Sequence, residues 1–266
     1  MELLEMKKVY YSFRLNKNET LRLLLAFMKA WIAVCRARSS MAVLNVPRGK
    51  KFSLKPSQFG CPCNSPNVHF RVGGEIVGPS KLSDWRGCHV SRWLSFRDVN
   101  GLTVDGNGLI DGQGAIWWKY AGDAKPRPLA LGFSSCNNLK LSGLTHINSP
   151  RSHISINSCT NVTITNLRII APETSYNTDG IDISSSSNVR IQDCYIGTGD
   201  DCIAINSGCN NISIAGVDCG PGHGISVGSL GKGGAKAGVE DIRVEHCTFN
   251  GTLNGARIKT WQVIED

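Results

Sequence analysis

From about residue 99 onward, apolar and polar residues alternate in short runs that recur along the chain. One run type opens on Asn or Asp: NGLTV at Asn100, NLKLS at Asn138, NVTIT at Asn161, NVRIQ at Asn188, NISIA at Asn211 and DIRVE at Asp241. With Leu102, Leu139, Val162, Val189, Ile212 and Ile242 taken as equivalent, the later spacings are 23, 27, 23 and 30 residues. A second type interleaves with the first: HISIN, GIDIS, CIAIN, GISVG and ARIKT. From Ile154 through Ile181, Ile203 and Ile225 to Ala256, its spacings are 27, 22, 22 and 31. Period-two alternation marks a strand with one buried face. Strands this short cannot bury that face alone, and stacking successive coils does so. The pattern predicts an all-β chain, a single-stranded right-handed parallel β-helix. A β-sandwich competes, but it would not keep two strand types interleaved in fixed order.

Residues 21–35 are amphipathic and predict a short N-terminal helix capping the open edge of the stack. Residues 36–98 are expected to form irregular first coils. Two segments result: an unmatched N-terminal segment, 1–24, and a β-helix domain, 25–266. At the other end the chain reads Trp261-Gln-Val-Ile-Glu-Asp266 with no capping pattern. An exposed last coil is an aggregation hazard, so further C-terminal coils are expected in the natural protein.

Composition agrees with many strands and turns. Of 266 residues, 41% are apolar and only 19% charged, and 29 are glycine. The formal net charge of +8 allows an acidic partner. The cations form no blocks, and those of interest sit beside carboxylates that would repel phosphate, so nucleic acid is not expected. Eleven cysteines suggest an oxidising compartment, and the odd count leaves at least one without an internal partner. Four glycosylation sequons, at Asn18, Asn161, Asn211 and Asn250, point the same way. The first residues are charged with both signs, and Leu21–Val34 is broken by Arg22 and Lys29, so neither a signal peptide nor a membrane span is visible.

The chemistry lies in the second run type. If Ile181, Ile203 and Ile225 are equivalent, Asp179, Asp201 and His223 each stand two positions earlier, and Asp200 adds another carboxylate. Arg257 and Lys259 fall in register one coil later. Parallel strands lie about 4.8 Å apart, which puts Arg257 about 14 Å along the stack from Asp179. Alternation turns Asp182, Ala204, Ser226, Arg257 and Lys259 outward, and the small Ala204 and Ser226 are expected to leave room for a ligand. It would also turn Asp179, Asp201 and His223 inward, where unpaired carboxylates are costly. A bend is therefore expected before each strand, at Gly180 and Gly224, with Cys202 departing from that rule in the middle coil. Crowded carboxylates cannot all ionise, so one stays protonated, as glycoside hydrolysis requires. Separations of roughly 5 to 10 Å between neighbouring coils suit acid, base and water, and the cations favour a uronic-acid substrate. Each motif alone would read as a turn or a solvated face; their common register is what that reading does not explain.

The strings NTDGIDIS (Asn177–Ser184), TGDDCIAI (Thr198–Ile205), CGPGHGISVGSLG (Cys219–Gly231) and ARIKTWQ (Ala256–Gln262) resemble, in order, those of polygalacturonases of glycoside hydrolase family 28, plant type. The resemblance covers about residues 26 to 263. It implies a pectin-lyase-like right-handed β-helix, secreted to the cell wall, hydrolysing α-1,4-galacturonan (pectin) with inversion. It implies Asp200 as general acid, Asp179 and Asp201 as the groups that position and deprotonate water, and His223 as an assistant to Asp200. Arg257, Lys259 and Asn177 would bind substrate. It further implies disulfides Cys202–Cys219 and Cys35–Cys63, no metal or other cofactor, no membrane and a monomer. The family's glycine- and aspartate-rich first strand, and a functional tyrosine after the Arg-Ile-Lys motif, are absent from these residues. Two other readings remain: an inactive pectin-binding β-helix or truncated, non-functional relative, and a calcium-dependent pectate lyase.

Overall fold

The computed structural model describes residues 19–60, 62–87, 90–119 and 126–262. Most of segment 1–24 lies outside them. The helix α1 (Glu19–Arg36) is followed by strands that stack into three parallel eight-stranded sheets, one strand per sheet per coil. This is the right-handed parallel β-helix that the repeat predicts. Sheet 1 runs from Ala42–Val46 to Val239–Glu245, sheet 2 from Lys51–Ser53 to Thr248–Phe249, and sheet 3 from Ser57–Gly60 to Ala256–Thr260. The predicted register holds. Ile154, Ile181, Ile203, Ile225 and Ala256 pair successively in sheet 3, as do Val162, Val189, Ile212 and Ile242 in sheet 1.

The Asn or Asp that opens most sheet 1 strands has a conformational cause. Asn138, Asn161, Asn188, Asn211 and Asp241 all have φ between 54° and 59°. This left-handed region tolerates Asn and Asp better than other non-glycine residues. Their side chains also form a ladder: Asn161 donates to Asn138 (3.2 Å), Asn188 to Asn161 (3.1 Å) and Asn211 to Asn188 (2.8 Å). Two of the four sequon asparagines therefore already have their side-chain amide engaged.

Sheet 2 was not foreseen. Its strands have two or three residues, such as Arg168–Ile170 and Asp218–Cys219, too few to display alternation. The first coils are also regular rather than irregular. Ala42–Val46 and Val68–Val72 pair in register, and the latter pairs with Leu102–Asp105. Asn67-Val-His-Phe is the same Asn-led unit. Longer connections hide the repeat here: Phe59, Phe96 and Phe133 are 37 residues apart. They nevertheless pair in sheet 3 and stack face to face, with centroids 5.1 and 5.4 Å apart.

Helix α1 covers this aromatic end as expected. Phe27, Trp31 and Val34 are buried; the Trp31 ring lies 5.4 Å from Phe59 and 5.5 Å from Phe96, and its indole N–H donates to the Gly60 carbonyl at 2.9 Å. A disulfide between Cys35 and Cys63 ties the helix end to the first coil. Among the described residues no helix is long and apolar enough to cross a membrane. On the last strand, Ile258 stands in the inward row opposite Val227 and is 74% exposed.

The inward row of sheet 2 reads Ile76, Ile110, His146, Ile169, Ile196 and Cys219. A histidine thus occupies an isoleucine position, and among the described residues neither ring nitrogen has a hydrogen-bond partner. Its ring meets that of His153 edge to face at 5.6 Å. His153 is bonded: the Ser149 N–H donates to its Nε2 (3.3 Å), which leaves Nδ1 to donate to the Asp179 carbonyl (3.2 Å). Burial keeps both rings neutral, pushing His146 well below 6.5 and His153 down to about 4. The unfolded chain binds protons that the folded chain refuses between pH 6.5 and about 4. Stability therefore falls as pH drops through that window. His146→Ile should continue the ladder, raise unfolding free energy by about 1–3 kcal/mol and flatten its fall below pH 6.5. Chemical denaturation at pH 7 and pH 4.5 checks this; equal losses in both proteins would contradict it.

Candidate active site

All the charged residues singled out in the sequence converge on one end of sheet 3. Asp179, Asp201 and His223 stand at the turns leading into Ile181–Ser184, Ile203–Ile205 and Ile225–Leu230. The ladder of main-chain bonds continues back into these turns: Gly180 N–H to Asp201 O (2.9 Å) and Cys202 N–H to Gly224 O (2.8 Å). The column is therefore in true register.

The two glycines do different work. Gly224 has φ +91°, the left-handed bend expected, and a Cβ there would lie 2.2 Å from two carbonyl oxygens, of Asn254 and Gly255. Gly180 needs no such φ; its missing Cβ makes room for the Cys202 carbonyl and the Ile196 side chain, each 2.4 Å from where that Cβ would be. Cys202 is disulfide-bonded to Cys219 and so ties sheet 3 to sheet 2 directly beside Asp201.

Asp201 faces the outward row of Ser226, Arg257 and Lys259, as the expected bend requires, yet those residues cover it so closely that its side chain is 1% exposed. It is not unpaired. Oδ1 accepts from the Ser226 hydroxyl and from Arg257 Nη2, both at 2.7 Å, and Oδ2 accepts from Lys259 Nζ at 2.7 Å. Burial alone would raise its pKa, but Lys259, Ser226 and Arg257 together hold it below the ordinary 3.8. Ser226 is consequently no open floor for a ligand: it is fully buried and also accepts from Arg257 Nε at 2.8 Å.

Asp200 is held from three sides. Its Oδ1 accepts from the Asp201 N–H (2.8 Å) and from His223 Nδ1 (3.1 Å), and its Oδ2 accepts from Asn177 Nδ2 (3.3 Å). The His223 N–H also donates to the Asp200 carbonyl (2.8 Å), so the ring is fixed on both sides of the residue. Asp179 differs. Burial, then the charges of Asp182, Asp200 and Asp201, push it well above 3.8. Asp182, opposite Ala204, is raised too, chiefly by burial, although the Ser152 hydroxyl donating to it and the charge of Arg151 pull it back. One carboxylate locked by cations and held toward its ionised form thus stands beside a pair whose affinity for protons is raised.

Asp200, Asp201 and His223 bring ligand atoms within 4.8 Å of one another, the one such group among the described residues. Both Asp201 oxygens are already engaged by Arg257, Ser226 and Lys259, so protein cations supply the positive charge that a metal would bring. Two contributors were missed in the sequence, Ser152 and Arg127. Arg127 sits beside Asn177 from two coils away, where no spacing rule points to it.

Residues 35–265 match the profile of glycosyl hydrolases family 28. A probable polygalacturonase of Arabidopsis thaliana is 56% identical over 237 residues, covering 89% of this chain and 51% of that protein. Polygalacturonase-2 of Solanum lycopersicum is 40% identical, with 90% and 52% covered. The chain spans about half the length of the curated relatives it matches. Among solved structures, the endo-xylogalacturonan hydrolase of Aspergillus tubingensis superposes with a TM-score of 0.82 at 29% identity, over 91% of this chain and 66% of that one. The polygalacturonase of Erwinia carotovora gives 0.74 at 27%, over 88% and 68%. With a family profile matched over most of its length and the family's motifs stacked in register, the chain belongs to glycosyl hydrolases family 28.

Proposed function

We propose that this chain hydrolyses α-1,4-galacturonosyl linkages of polygalacturonan with inversion, outside the cell, in the pectin of a cell wall, and acts as a monomer. The observation that carries the reading is the split among neighbouring carboxylates: Asp201 held ionised by two cations, Asp179 pushed up, and Asp200 oriented between them. Inverting hydrolysis needs an acid at the leaving oxygen and a base that activates water. Asp200 is the acid. Asp179, with the raised pKa, is the better proton acceptor, and Asp201 orients the water. His223 keeps the Asp200 carboxyl in place. Arg257 and Lys259 each retain N–H groups beyond those given to Asp201 and Ser226, and these bind the carboxylate of the substrate sugar, with Asn177 beside them. The relatives named polygalacturonase support the substrate class.

A calcium-dependent lyase is disfavoured by the same contacts, because Arg257 and Lys259 occupy the carboxylate that would bind the ion. Release of reducing ends from polygalacturonic acid should therefore persist with chelator present. Asp200→Asn should lower it by about 10²–10⁴-fold, the usual worth of a positioned acid. Unsaturated products, or loss of activity on chelation, would contradict the hydrolase; no release by either chain would indicate a binder, and equal release by both would remove Asp200 from the role of acid.

The acid limb of the pH–rate profile tests the base. Asp179 must be ionised to accept a proton, so activity is lost as pH falls through its raised pKa. Burial raises that pKa first and the Asp182 charge next. Asp182→Asn removes the second cause and should move the acid limb of kcat/KM to lower pH. An unmoved limb would remove Asp179 from the role of base.

A further inference from the structure

Arg127 is a buried cation that the roles above do not use. It lies just before Leu129–Ser134, is 8% exposed, and reaches past the next coil to the loop that carries Tyr176 and Asn177. Its Nη1 donates to the carbonyls of Tyr176 (2.7 Å) and Pro150 (3.3 Å), and its Nη2 donates to Asn177 Oδ1 (3.0 Å). Its guanidinium also sits over the Tyr176 ring, 5.6 Å from the centroid.

The donor and acceptor inventory makes this arrangement directional. Arginine has only donors, so the side of the Asn177 amide facing Arg127 must be its oxygen. The amide nitrogen is thereby turned toward Asp200 Oδ2, at 3.3 Å. Asn177 also holds a left-handed backbone, φ 53°. Arg127 grips both the carbonyl before it and the side chain after it. Among the described residues, Asp200 Oδ1 accepts two N–H bonds and Oδ2 accepts one, from Asn177. The unfilled lone-pair position, the one able to carry a transferable proton, is on Oδ2.

We infer that Arg127 is a positioning residue for the acid: through Asn177 it fixes the rotation of the Asp200 carboxyl so that Oδ2 faces the cleft as the proton-bearing oxygen. Lysine could not replace it, because a single ammonium lacks the planar fork that spans the Tyr176 carbonyl and the Asn177 amide. The kinetic consequence rests on the hydrolase reading; the orientation of Asn177 does not.

The test combines two readouts on Arg127→Met, Arg127→Lys, Asn177→Ala and the Met/Ala double variant. The first is the side-chain amide signal of Asn177 in a ¹H–¹⁵N spectrum, identified by its loss in Asn177→Ala. It should move toward the position of a free asparagine amide in Arg127→Met and Arg127→Lys. An unchanged signal would overturn the inference, whether or not the chain is active, and Arg127→Lys serves if Arg127→Met does not fold. The second is turnover of polygalacturonic acid. Displacement of the acid should cut kcat by on the order of 10²-fold in Arg127→Met, with KM within about twofold. The double variant should be no worse than Asn177→Ala, because both act on one carboxyl. Independent, additive losses would make Arg127 a merely structural clamp. A wild-type chain that releases no reducing ends would fail the hydrolase reading, and the amide signal would still decide the role of Arg127.

Discussion

A carboxylate with almost no exposure, Asp201, is bonded to cations 56 and 58 residues further along the chain. Such a group is tolerable only if its partners arrive in register: breaking a buried pair by removing one partner costs about 3–5 kcal/mol. The partners arrive because Ile203, Ile225 and Ala256 stand on successive coils, which brings Ser226 and Arg257 over the turn that bears Asp201. A slip of one residue in the last coil would turn Arg257 and Lys259 into the core and leave Asp201 buried and unpaired. Helix register, disulfide position and electrostatics at the site are in this sense one constraint.

The division of labour among the carboxylates follows from where each meets the coils. Asp201 lies under the cations and is held down, while Asp179 lies one coil further from them, among Asp182, Asp200 and Asp201, and is pushed up. Identical side chains thus acquire different proton affinities from burial and from the partners that their place in the stack provides. The core beneath contributes to this arrangement, because His153 donates to the Asp179 carbonyl from inside the coil.

The legible part of the fold was the part that repeats. Alternation and spacing gave the register of sheets 1 and 3, and with it the gathering of Asp179, Asp200, Asp201, His223, Arg257 and Lys259. Sheet 2 was hidden because two or three residues carry no period. The first coils were hidden by long connections between Phe59, Phe96 and Phe133, although Asn67 repeated the opening signal. The near-complete burial of Asp201 on the outward row was not legible, because the side chains that cover it, Ser226, Arg257 and Lys259, lie beyond any local window. Arg127 carried no signal, since its partners depend on how a long loop folds back. His146 sits in a strand too short to reveal that it faces the core.

The central claim is that coil register locks Asp201 to the last strand. A double-mutant cycle on unfolding free energy, with Asp201→Asn and Lys259→Met singly and together, tests it most directly. The account predicts a coupling on the order of 1–3 kcal/mol between the two changes. Losses that simply add, to within about 0.5 kcal/mol, would contradict it.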